Sequence, residues 1–294
     1  MVDTRVTDLP DGRELAWLEL GKPKGPPVFF FHGTPGSRLQ VAFNEKPIVA
    51  AGVRLISVDR PGYGHSTFHK DRRLRDWASD VACLADHLKL ERFAVVGVSG
   101  GGPHAAVCAR FLPERVTSAA IVSGIGPLAD SGLGTEGMWG VSRALAQLAA
   151  KSRTVLRPVF AAQEFLTRHW PERVLQSALR QLPPPDAAVL GRDEERAAFV
   201  EEAKKSSAST AKAATQDFAI FTRDWGFRLD EITVPVHVWH GDADRNVPMA
   251  HGRFQAAAIP GSSFHDCPGE GHLLAIDHIE EILRTVSSAQ PKTS

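Results

Sequence analysis

Cysteine, methionine and tyrosine are scarce in this 294-residue chain, at three, three and one. Cys83, Cys108 and Cys267 are odd in number and widely spaced, which argues against a disulfide framework and gives no zinc-site spacing. They read as small apolar packing residues in a reducing, cytoplasmic setting. An excess of one charge is also missing, since 34 Lys+Arg balance 34 Asp+Glu. No basic surplus is available to hold nucleic acid or an anionic membrane surface, and neither is expected as a partner. No run reaches the roughly 20 apolar residues of a membrane helix. The polar start Met1–Arg5 has no apolar segment of the kind a secretory signal carries. The one basic cluster, Lys70–Asp76, is broken by acids and reads as the solvated face of a helix start.

What is present is a rhythm. Hydrophobic residues make up 43% of the chain, enough for a sizeable core. After an early hairpin around Pro10-Asp11-Gly12, the runs Val28–Phe31, Leu55–Val58, Phe93–Val98 and Ala119–Val122 are apolar but for Ser57. Such runs suit central strands of a parallel sheet covered on both faces. Helical patterns over 39–51, 74–88 and 104–111 lie between them, so the fold class is α/β. The next strand, 234–239, follows only after about 110 residues, where a crossover takes about 30. The surplus is helical in pattern over 141–151, 155–165, 172–182, 194–205 and 211–222, with Pro183-Pro184-Pro185 as punctuation. The predicted organisation is therefore a core of residues 1–125 and 229–294 with a helical lid inserted at 126–228. A helix at 250–258, a strand at 263–266 and a helix at 273–287 close the core, and 289–294 is expected to be disordered.

Gly97-Val98-Ser99-Gly100-Gly101 fits G-x-S-x-G at a strand-to-helix junction. A serine there sits on a sharp, strained turn, and glycines two residues to either side relieve the crowding. A serine nucleophile needs a base, and the base needs an orienting acid. Of twelve histidines, His272 stands in a flexible loop between the last strand and the last helix and is the expected base. His32 is expected to brace its loop, and His104 to cap the helix after Ser99. Asp244, in His240-Gly241-Asp242-Ala243-Asp244, is the expected acid, with Asp242 as the alternative, a turn-maker bonding its own backbone. The glycine-rich turn after Val28–Phe31 offers the Thr34 amide, which with that of Gly100 would hold an oxyanion.

Together these features resemble the α/β-hydrolase fold family over nearly the whole chain. The oxyanion loop matches His32–Gly36, the D-x-x-G-x-G-x-S turn matches Asp59–Ser66, the elbow Gly97–Gly101, the acid loop Gly241–Asp244 and the histidine loop Gly269–His272. The resemblance implies a mostly parallel sheet, a Ser99–His272–Asp244 triad, no metal and no organic cofactor. Relatives that open epoxides or remove halides carry Asp at the elbow, so Ser99 excludes those chemistries. Thr34 and Gly100 depart from the iminopeptidase pattern. The expected activity is hydrolysis of a small or medium uncharged carboxylic ester. Amidase or iminopeptidase, lactonase, carbon–carbon bond hydrolase and cofactor-free perhydrolase chemistry remain alternatives on the same triad, and a slow-turnover small-ligand receptor is the alternative of another class. Trp139, Phe160, Phe165, Trp170, Phe218 and Phe221 are the expected substrate-lining side chains of the lid.

Overall fold

The computed structural model describes residues 3–42, 45–129, 132–151, 153–205 and 210–288. The expected tail at 289–294 lies outside them. The strands are β1 (Arg5–Asp8), β2 (Glu14–Gly21), β3 (Pro27–Phe31), β4 (Arg54–Val58), β5 (Phe93–Val98), β6 (Val116–Val122), β7 (Val236–Gly241) and β8 (Ser263–Cys267). They form one sheet in the order β1-β2-β4-β3-β5-β6-β7-β8. The pairs β1–β2 and β2–β4 are antiparallel, and every pair beyond them is parallel.

Helices α1 (Glu45–Ala51), α2 (Asp76–His87) and α3 (Gly102–Phe111) precede the long connection from β6 to β7. That connection carries α4 (Gly140–Lys151), α5 (Arg153–His169), α6 (Pro171–Leu179), α7 (Pro184–Leu190), α8 (Asp193–Lys205) and α9 (Thr210–Phe221). Then α10 (Met249–Ala258) and α11 (Ala275–Ser288) flank β8.

Successive strand side chains point to opposite faces, and both faces of this sheet are covered. Phe29 and Phe31 pack with Trp77, Val81 and Leu84 of α2 and with Ala105 and Ala109 of α3. Val28 and Phe30 instead join Ile48 of α1 and Ile279, Ile282, Leu283 and Val286 of α11. The spacing of those four α11 residues is one helical stripe, i, i+3, i+4, i+7. The inserted helices have a small core of their own, in which Leu156 and Phe160 of α5 meet Ala211 and Ala214 of α9.

Three expectations need correction. The continuous helix over 39–51 is instead a 3-10 turn at Arg38–Val41 followed by α1. Proline is favoured in a helix's first turn and disfavoured beyond it, and Pro47 accordingly lies in the first turn of α1. Conversely, Pro184 and Pro185 do not merely interrupt; they occupy the first two positions of α7, where their missing N–H groups go unused. Finally, the basic cluster is not uniformly solvated. Lys70, Arg73 and Arg75 are exposed, whereas Arg72 and Leu74 are buried.

The register fixes what the loops can reach. Phe31 pairs with Gly97, Val98 with Val122, Val122 with Trp239, and Gly241 with Cys267. The segments leaving β3, β5, β7 and β8 therefore emerge together at the carboxyl edge, where ligands bind in parallel α/β sheets.

Candidate active site

Ser99 follows β5 directly, with a backbone φ of +54°. A non-glycine residue in the left-handed region is held there at about 1–2 kcal/mol, and neighbours must leave room for the bend. A Cβ on Gly97 would lie 2.1 Å from the Gly101 carbonyl oxygen, and one on Gly101 would lie 2.1 Å from that of Phe31. The two glycines are thus fixed by close approach.

The loops after β7 and β8 meet this serine. The Ser99 hydroxyl is 2.9 Å from His272 Nε2, and His272 Nδ1 is 2.8 Å from Asp244 Oδ2. Because the carboxylate only accepts, the imidazole proton sits on Nδ1 and Ser99 Oγ–H donates to Nε2. The other oxygen of Asp244, Oδ1, accepts the amides of Asn246 at 2.8 Å and Val247 at 2.9 Å. Burial opposes ionisation of Asp244, but the facing His272 and the hydrogen bonds from His240 and His272 outweigh it and hold its pKa well below the usual carboxylate range. Burial likewise opposes protonation of His272. Asp244, with a smaller contribution from Asp186, reverses that and places the imidazole above its ordinary pKa. Asp242 faces away from this relay, accepting the Gly269 amide at 2.7 Å. It ties the acid loop to the histidine loop instead of closing a turn on its own backbone.

A family model described as alpha/beta hydrolase fold matches residues 26–279. The chain belongs to the α/β hydrolase fold family. Over 266 residues it is 29% identical to the 2-hydroxy-6-oxononadienedioate/2-hydroxy-6-oxononatrienedioate hydrolase of Cupriavidus pinatubonensis, spanning 88% of this chain and 84% of that one. It is 34% identical over 186 residues to the dihydrolipoyllysine-residue acetyltransferase component of the acetoin cleaving system of Pseudomonas putida, covering 58% of this chain and only 47% of that relative. Among solved structures, the esterase RhEst1 from Rhodococcus sp. ECU1013 superposes with a TM-score of 0.68 at 22% identity, covering 97% of this chain and 98% of that one.

In this hydrolase fold the loop after β3 lies beside the elbow. A Cβ on Gly100 would come within 2.2 Å of Thr34 Oγ1, so the two residues are in close apposition. His32 braces the loop as expected: its Nδ1 donates to the Gly33 carbonyl at 2.8 Å and its Nε2 accepts the Arg60 amide at 3.1 Å.

Behind Thr34 lies a buried ionic cluster that sequence reasoning missed. Asp217 of α9 accepts the Thr34 hydroxyl at 2.9 Å, the Arg60 guanidinium at 2.7 Å and the Tyr63 hydroxyl at 2.8 Å through Oδ2. Its Oδ1 accepts from Arg72. Burial alone would raise the Asp217 pKa, yet Arg60 and Arg72 hold it far below the carboxylate range. His104 belongs to this cluster and is not a helix cap. Its Nδ1 donates to the Gly100 carbonyl at 2.8 Å, while Nε2 faces Arg72 at 3.3 Å. Burial first, then the charge of Arg60, depresses the pKa of both His32 and His104, so both are neutral. The available signal was one acid in the otherwise uncharged stretch Ala213–Phe221.

A cavity of about 340 Å³ opens on Ser99 and His272. Its apolar wall includes Phe30, Val98, Leu190, Phe199 and Ile276, and its polar groups are Gln40, Glu195, Glu202 and Asn246. No Lys or Arg lines it among the described residues. Gln40 Oε1 accepts the Gly33 amide at 2.7 Å, and Glu202 accepts the Ser37 hydroxyl at 2.9 Å. Burial pushes the Glu202 carboxyl up to about 7, against the opposing Ser37 bond.

None of the six expected aromatics lines this cavity. Phe160 is in the core of the insertion, with Phe218 packed against it. Phe221 is buried in the main core, its ring beside the Gly100 position. Phe165 and Trp170 are 53% and 44% exposed. Trp139 is half-buried and donates its amide to the Arg245 carbonyl at 2.6 Å. The aromatic wall comes instead from Phe30 of β3 and from Phe199 of α8, which composition alone does not single out.

Proposed function

We propose that this protein is a serine esterase cleaving small or medium uncharged carboxylic esters beneath a lid formed by residues 126–228. The observation carrying this reading is the unbroken relay from Asp244 through His272 to a serine held at positive φ. Ser99 Oγ attacks the ester carbonyl carbon as His272 Nε2 takes its proton. Asp244 keeps the imidazole in the productive tautomer and stabilises the imidazolium. The Thr34 and Gly100 amides receive the oxyanion, each such donor being worth about 3 kcal/mol in the transition state. His272 then gives its proton to the departing alkoxide, leaving an acyl-enzyme. Water, deprotonated by the same histidine, attacks that ester; the acid departs and Ser99 regains its hydrogen.

The cavity lining supports a neutral substrate. The dioate named for the Cupriavidus relative carries two carboxylates, and an anion needs a countercharge when it leaves water. Among the described residues the ionisable carboxyls of the lining are Glu195 and Glu202, and no Lys or Arg lines it. That chemistry favours an ester over a dicarboxylate cleaved at a carbon–carbon bond.

Turnover of p-nitrophenyl esters of increasing acyl length tests this reading, with Ser99→Ala alongside. Ester cleavage abolished by the substitution, and a fluorophosphonate adduct on Ser99 in the wild type, are the expected results. Equal rates in both proteins, or an adduct elsewhere, would remove Ser99 from the chemistry.

A further inference from the structure

The insertion reaches the histidine loop through one buried carboxylate. Asp186, in the first turn of α7, is 1% exposed. Its Oδ1 accepts the amide of Leu273, the residue after His272, at 2.9 Å. Its Oδ2 has no hydrogen-bond partner among the described residues although it is buried. The packing leaves no room for a side chain on the preceding loop residue, since a Cβ on Gly271 would lie 2.3 Å from Asp186 Oδ1. Withdrawing a carboxylate from water with one oxygen unsatisfied is unfavourable by itself.

We propose that Asp186 is a positioning residue for His272, a carboxylate supplied by the insertion that fixes the Gly271–Leu273 backbone and so the imidazole over Ser99. This deepens the esterase reading and rests on it. The groups that act on His272 are Asp244, backed by His240, from the loop after β7 and its strand end, Ser99 from the elbow, and Asp186 from α7. Asp186 therefore contributes in two separable ways. Its oxygen holds the loop through Leu273, and its negative charge favours the imidazolium that forms when Ser99 gives up its proton. Burial pushes the Asp186 carboxyl up, and the Leu273 amide and the His272 charge draw it back.

Asp186→Asn keeps an acceptor for Leu273 and removes the charge; Asp186→Ala removes both. The His272 titration is followed by NMR, its signal assigned with His272→Gln, and kcat/KM is measured against pH on a p-nitrophenyl ester. Both variants should lower the His272 pKa. Asp186→Ala should also lose about tenfold or more in kcat with little change in KM, as expected for a misplaced catalytic group, and Asp186→Asn should lose less. An unchanged His272 titration in both variants would overturn the proposal, as would full kcat in Asp186→Ala. Should Asp186→Ala fail to fold, the isosteric Asp186→Asn carries the test. If the wild type cleaves no ester, the esterase reading falls while the titration still decides the part played by Asp186.

Discussion

The Asp217 cluster makes an ordering prediction that charge alone dictates. Two guanidiniums, Arg60 and Arg72, share one carboxylate in a fully buried site. With His32 and His104 neutral, the cluster carries a net charge of one positive unit. Asp217→Asn doubles that uncompensated charge, and it also weakens the acceptor serving Thr34, Tyr63 and Arg60. Removing one partner of a buried ion pair costs about 3–5 kcal/mol. Arg72→Met instead leaves the neutral Arg60–Asp217 pair, and the loss reduces to one oxygen and one imidazole without their donor, about 1–3 kcal/mol. Urea unfolding followed by tryptophan fluorescence reads both. Asp217→Asn should shift the transition far more than Arg72→Met. Equal shifts, or a loss below about 1 kcal/mol for Asp217→Asn, would refute the charge argument. The pH dependence gives a second check. The Asp217 pKa is depressed by folding, so its stabilisation is fully present above the unfolded carboxyl pKa of about 3.9 and is lost as pH falls below it. The wild type should lose stability more steeply than Asp217→Asn through that acid range.

The remaining expectations concern the site. Gly100→Ala puts a methyl group 2.2 Å from Thr34 Oγ1; displacing the loop should cut ester turnover about a hundredfold, with the fold checked by circular dichroism. Because the His272 pKa is raised, kcat/KM should rise with pH through a midpoint above the free imidazole value of about 6.5; a midpoint below it would show that burial prevails. The Glu202 carboxyl, pushed up to about 7, should make KM for a neutral apolar ester rise as pH passes that value, and Glu202→Gln should flatten the dependence. Thr34→Val deprives Asp217 of a donor and Arg60 of an acceptor, and should destabilise the fold by about 1–3 kcal/mol in urea unfolding.

The parts of this molecule legible in the sequence are those governed by local rules. Continuous apolar runs mark β3 to β6 because both faces of each strand are covered. Gly97 and Gly101 flank Ser99 because the bend excludes side chains. His272 and Asp244 stand in loops because only the carboxyl edge of the sheet brings loops together. The illegible parts depend on partners distant in the chain. Arg72 in a mixed-charge stretch looks solvated until Asp217, 145 positions later, is placed beside it. Phe199 in the charged helix α8 faces the cavity, whereas the more conspicuous Phe160 fills the interior of the insertion.

The same contrast explains where substrate choice resides. The residues of the proposed relay stand on loops that the register of the sheet brings to one edge. Part of the cavity wall comes from α7 and α8, which supply Leu190, Glu195, Phe199 and Glu202. Helices of this connection are also tied to the loops of the site. Asp186 on α7 holds the loop bearing His272, and Asp217 on α9 holds the loop bearing Thr34. A substitution that reshapes the cavity by moving α7 thus also moves the base. In this chain, altering specificity through the insertion alters the rate as well, unless the Asp186–Leu273 contact is kept.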